Sequence, residues 1–238
     1  VPGYTRRQLK EDKFAETAQG AAEWATGHRM MVLVAVGAVL VVVLAVAGFF
    51  AWHTSQTEQA NTQLAAAMRT YETPLTPAGT PQPAGETGAT FSTITDRSKA
   101  AQKQFSAIAD NHSMVSAGKI ARYMSGMALI EAGDKSGAEQ ELKKAADFSD
   151  KDVAAMAKMA LASLYRDSNR TSDAVAIYKE VSDHPTATVS KSAAQLALAS
   201  IYEKTDPHQA AQIYQQVQKD DPQSAAAQMA AQKLSRTK

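Results

Sequence analysis

The sequence predicts an all-α protein, with a single transmembrane helix near one end and a stack of helical repeats behind it. Two observations point there. Residues 30–52 form one uncharged apolar run, and much of the chain beyond residue 100 repeats itself every 36–37 positions. Composition agrees: Ala, Gln, Lys and Met are frequent, and strand formers are rare outside the apolar run.

Residues 1–29 read as a cytoplasmic leader, helical in part. Thr5 and Gln8 have capping-box spacing, and Phe14, Ala18, Ala21 and Ala25 share a face beside Trp24, which predicts a helix over 5–27. That helix suits an inner membrane surface or a cytoplasmic partner. A solvated leader whose charges only set topology fits as well.

Met30 to Trp52 gives 23 residues without a charge, and a helix needs roughly 20 to cross a ~30 Å hydrocarbon core. His28 and Arg29 close one end; Phe49, Phe50 and Trp52 crowd the other, where amphipathic rings suit the headgroup layer. Arg6, Arg7, Lys10, Lys13 and Arg29 precede the run, and only Arg69 lies within twenty residues after it. Cations stay on the cytoplasmic side, so the N-terminus should lie inside and the C-terminal part outside, which in a bacterium is the periplasm. Ala45-Val46-Ala47 matches a small-x-small cleavage pattern. The long polar leader and the apolar residues beyond that site instead predict an uncleaved signal anchor. Ala47 and Ala51 have the spacing of small-residue helix pairing, which an alanine-rich span also produces by chance.

Residues 53–72 should continue as a juxtamembrane helix, with Leu64, Met68 and Tyr71 on one face. Residues 73–90 then hold four prolines and three glycines. Proline lacks the donor a helix interior needs, so this segment is expected to be an extended linker that spaces the membrane helix from the domain at 91–238.

In that domain Ala101, Ala138, Ala174 and Ala210 recur at 37, 36 and 36 residues. Four residues after each stands a large side chain: Phe105, Leu142, Tyr178 and Tyr214. Three further on come Ile108, Ala145, Val181 and Val217. The small residue lets two helices approach, the large one fills the gap a turn later, and the third completes a helical stripe. Each unit should hold two helices with junctions at Gly133-Asp134, Ser168-Asn169 and Thr205-Asp206-Pro207. Asp134, Ser172 or Asp173, and Asp206 are the expected N-caps. Residues 223–235 should form a closing helix with a polar back.

Ala162/Tyr165 with Ala174/Tyr178, and Ala199/Tyr202 with Ala210/Tyr214, resemble the tetratricopeptide repeat; Gly126/Leu129 with Ala138/Leu142 is a degenerate copy. The period departs from that family's 34, and Arg122 and Lys158 stand where it has tryptophan. Leader, anchor and divergent repeats together resemble bacterial membrane-anchored tetratricopeptide-like proteins, the YfgM-like family that includes an ancillary subunit of the Sec translocon. The resemblance implies a periplasmic protein-interaction scaffold or adaptor near the translocon or envelope folding machinery. A constitutive accessory subunit of a large membrane complex is the alternative. Its partners would be other proteins: translocon components, chaperones or clients.

In such stacks the first helix of each unit lines the concave face. By position, that face would show Tyr123, Met127, Met156, Met159, Ser163, Arg166, Leu196 and Ser200, an apolar, methionine-rich surface suited to an amphipathic segment. The same residues could instead cover helix 55–72 or fill the core.

Other chemistry is not encoded. The chain has no cysteine, and its five histidines make no metal spacing. No nucleotide loop or nucleophile elbow occurs, so no cofactor, small-molecule substrate or enzymatic activity is expected. Beyond residue 90, 19 Lys or Arg stand against 17 Asp or Glu, with no basic stripe for nucleic acid. His112 and His184 fall at equivalent turns, which suggests local turn chemistry.

Overall fold

The computed structural model describes residues 24, 26–77 and 90–236. The helix expected over 5–27 and most of the Pro/Gly segment lie outside the described residues, apart from the last turn of the leader, where His28 N–H donates to Trp24 O at 3.0 Å. The described residues hold nine helices: α1 Arg29–Glu72, α2 Ile94–Asn111, α3 Ser116–Ala132, α4 Lys135–Ala146, α5 Lys151–Arg166, α6 Thr171–Asp183, α7 Lys191–Thr205, α8 Pro207–Asp220 and α9 Ala225–Arg236. The fold is all-α.

Two compact units divide the chain between Ser55 and Gln56. In the first, α1 carries a stretch with mean hydropathy 3.1, none of it buried, and it is long and apolar enough to cross a membrane.

The second unit begins earlier than expected. From Gln56 onward the polar half of α1 packs as the opening helix of the repeat stack. Ala60 and Ala67 are fully buried; Ala67 joins Phe105, Ile108 and Ala121 in one core cluster, and Ala60 joins Val115 and Ala117 in another. The Pro/Gly segment is therefore not the spacer the sequence suggested. Leu75 pairs with Phe91 as an isolated parallel bridge, and Thr76 N–H donates to Phe91 O at 2.9 Å. A spacer needs ends free to separate; here both ends are held side by side. The segment is an insertion in the turn between the two helices of the first unit, α1 and α2.

Beyond it each helix packs on the next, and first helices of neighbouring units also touch, α3 on α5 and α7 on α9. The repeated pattern accounts for the core. Ala101, Ala138, Ala174 and Ala210 are buried, as are Phe105, Leu142, Tyr178 and Tyr214 and the third set, Ile108, Ala145, Val181 and Val217. Each large side chain contributes ~1.5–3 kcal/mol by leaving water. Gly126 is small for a reason: a Cβ there would stand 2.7 Å from Leu142 Cγ.

The helix ends follow local chemistry. Thr93 caps α2 by accepting from Asp96 N–H at 3.1 Å. Gly133 ends α3 at φ 86°, a left-handed conformation that costs glycine nothing, and Asp134 N–H donates back to Leu129 O at 2.9 Å. Asp134 then caps α4 through Gly137 N–H, and Asp206 caps α8 through Gln209 N–H, with Pro207 at the first helical position. The cap expected at Ser172 or Asp173 is not used. The turn after α5 passes through Asn169 at φ 58°, and Arg170 N–H returns to Tyr165 O at 2.8 Å. This starts α6 at Thr171, puts Arg170 at the cap position, and leaves Asp173 in the first turn to accept from Arg170 Nε at 2.8 Å. His112 and His184 both sit at helix C-caps, their N–H groups donating to Ile108 O and Glu180 O.

Candidate protein-interaction face

The first helices α3, α5 and α7 repeat their side chains in phase. Tyr123, Met159 and Leu196 stand at equivalent positions, 36 and 37 residues apart, and Met127, Ser163 and Ser200 do likewise one turn on. Seven of the eight residues assigned to this face are half-buried, and Arg166 is exposed. Burial divides them. Tyr123 and Met159 pack on the core formed by α4–α7. Met156 and Met159 also press on Val181, Val189 and Ala194, and Leu196 belongs with α8 and α9. These four are seam residues, so part of the face serves internal packing. Of the other four, the apolar one, Met127, joins none of these clusters.

The polar groups are tied down. Arg166 donates from Nη2 to Ser163 Oγ at 2.9 Å and from Nε to Asp167 Oδ1 at 2.9 Å. Ser200 Oγ donates to its own helix, at Ala197 O, 2.6 Å away. Among the described residues no cluster of His, Asp or Glu is arranged to hold a metal.

Ion pairs between helices account for the residues that depart from the usual repeat pattern. Arg122 reaches Asp110 at 2.6 Å and Glu141 at 2.8 Å, linking α3 to α2 and α4. Lys158 pairs with Glu180 at 2.5 Å. Where a tryptophan would wedge by shape, these cations join helices by charge.

Three features were not legible in the sequence. Arg97 donates to Thr73 O at 3.0 Å and to Glu131 Oε1 at 2.9 Å, and Ser98 Oγ donates to Glu131 Oε2 at 2.5 Å. This network holds the end of α1 to α2 and α3, directly beside the insertion. Glu139 is a second hub: it accepts from Lys143 at 2.7 Å, from Arg170 at 3.0 Å and from Tyr165 Oη at 3.0 Å. Lys143 first, then Arg170 and Tyr165, hold its carboxyl down to about 2. Third, a cleft of about 440 Å³ opens between α5 and the end of α6, with Phe148, Lys151, Lys158, Glu180, His184 and Pro185 on its walls. Apart from Lys143, four positions from Glu139, the bonded partners lie 24 to 34 positions apart in sequence, so no local motif announces them.

Comparison with known families gives two matches. Residues 24–190 match a family described as tetratricopeptide repeat-like domain, and residues 193–224 match one described as tetratricopeptide repeat. A search of curated proteins returns no match to the chain.

Proposed function

The chain belongs to the tetratricopeptide repeat-like family, and from that premise we propose that it is a membrane-tethered scaffold with its repeat unit in the bacterial periplasm, serving the translocon or envelope folding machinery. Repeats of this family are in general interaction scaffolds and not catalysts. The observation carrying the proposal is the in-phase set Met127, Ser163 and Ser200 on the first helices, each half-buried, with Met127 outside the hydrophobic clusters. Such a strip leaves apolar and small polar groups for a partner's amphipathic segment. The cations before the apolar run support the orientation.

A fixed accessory subunit is the second reading, and one observation favours it. The repeat unit starts at Gln56, so only the few residues after Trp52 act as a tether. A scaffold held that short works on what lies beside it in the membrane.

The test uses the full chain in mild detergent. The sequence has no cysteine, so M127C or S200C carries a photocrosslinker at a single site. Crosslinks to one protein in fixed ratio support the subunit reading, and substoichiometric crosslinks to several proteins support the adaptor. Equal crosslinking from these sites and from a convex-side control such as Lys179→Cys sinks the face.

A further inference from the structure

One turn of the repeat unit meets the residue that begins that unit, close in the chain to the apolar run. His112 Nδ1 lies 2.6 Å from Gln56 Oε1. Three residues on, Val115 is buried with Ala117 against Ala60 and Leu64. Gln56 is four residues past Trp52, the last residue of the apolar run. Four residues span no more than ~14 Å even when extended, and ~6 Å as helix. The headgroup layer on each side of a bilayer is itself about 5–8 Å deep. With the run spanning a bilayer, Gln56 lies within ~14 Å of its edge, and the His112 side chain meets the repeat unit at that residue.

Its side chains suit that place. Met114 is 65% exposed, more than Leu75, Ile94 or Met229, the other large apolar residues exposed beyond the apolar run. No Asp or Glu occurs from Asn111 to Ile130, and Lys119 stands in the first turn of α3. Of the equivalent turns further along the stack, one carries Asp147 and Asp150 and another carries Asp220 and Asp221. The turn beside Gln56 has an exposed apolar tip, and the acid closest to it in the chain, Asp110, is paired with Arg122 at 2.6 Å, which tempers its repulsion of anionic headgroups.

We propose that the His112–Val115 turn docks on the lipid headgroup layer, with Met114 inserted as its apolar contact. This rests on the proposed membrane span. Docking adds a second attachment beside the span and limits how the first unit tilts over the bilayer.

The absence of cysteine makes the test direct. M114C, M229C and L40C are each labelled with an environment-sensitive fluorophore in the full chain, reconstituted in vesicles containing anionic lipid. The expected result is a blue shift for the probe on M114C, with loss of emission on adding headgroup-level spin-labelled lipid and protection from aqueous iodide. The probe on M229C should be quenched by iodide, and that on L40C only by lipid labelled deep in the acyl chain. If M114C behaves like M229C while L40C reads the acyl region, the docking turn is overturned and the span stands. If L40C is quenched by iodide, the span falls and the docking turn with it.

Discussion

The ring of Tyr71 meets the ring of Phe105 edge on, with centroids 6.0 Å apart and planes at 67°. Tyr71 lies in the last turn of the helix that carries the apolar run, and Phe105 is a fully buried position of the repeat pattern. This contact makes the last turns of α1 part of the repeat core. The coupling is measurable. Phe105→Ala should cost ~3–5 kcal/mol, as for a large buried ring, and Tyr71→Ala less, because its ring is half-exposed. A double-mutant cycle, followed by far-UV circular dichroism in urea on the full chain in detergent, should return a coupling of ~0.5–1.5 kcal/mol. Additive losses would mean the rings do not support each other.

The paired ends of the insertion make a sharper prediction. A specific protease site is placed between residues 80 and 85 of the membrane-bound full chain. If that segment were a tether, cutting would release residues beyond it into the soluble fraction. With Leu75 bridged to Phe91 and Arg97 bonded to Thr73 O, the cut protein should stay membrane-bound. Release should follow when F105A is added.

That result bears on how much the sequence foretold. The alanine–large–aliphatic positions in four copies were all legible, because burial at a fixed helical period leaves its mark on local composition. The start of the repeat unit was not. Its first unit is interrupted by a proline-rich insertion, and a chain scanned in order meets that interruption as a boundary. The meeting of Tyr71 with Phe105 across the gap, with Ala67 in the same cluster, shows that the helices on either side are partners.

Gly126 and Leu142 test the close approach of α3 and α4. A Cβ at 126 would overlap Leu142 Cγ and Cδ2 at 2.7 Å. Gly126→Ala should therefore cost ~1–3 kcal/mol, and Leu142→Ala about 2–5 kcal/mol alone. Together they should cost less than the sum, since the smaller side chain makes room. Gly118→Ala is the contrast: its Cβ would stand 1.9 Å from the backbone oxygen of His112, which no side-chain change relieves. It should lower stability more than Gly126→Ala, by the same urea titration.

Glu139 sets a pH dependence. Its carboxyl is held down to about 2, first by Lys143 and then by Arg170 and Tyr165, from an ordinary 4.5. A depressed carboxylate pKa stabilises the fold above its unfolded value and loses that contribution as pH falls toward the folded one. The loss should thus occupy the window from about 4.5 down to about 2. Glu139→Gln should lower stability at neutral pH and flatten the acid limb of a melting-temperature profile. An unchanged acid limb would show that other carboxylates carry it. The pair geometry is partly exposed, so the effect is modest.

Local chemistry was enough to read the helix class, the apolar run, the repeat period, the buried positions and two of the three proposed second-helix caps. Each depends on residues within a turn or two of one another, or on a period that restates itself. Three-dimensional packing alone decided the rest: that residues 56–72 open the stack, that Leu75 and Phe91 pair on either side of the Pro/Gly stretch, and that Tyr123, Met156, Met159 and Leu196 serve the seams between helices. It also decided which acids meet which bases at Arg97, Arg122 and Glu139. Apart from Glu139 with Lys143, these are contacts between residues 12 or more positions apart in the chain. A helical face looks the same in sequence whether another helix or open solvent lies against it.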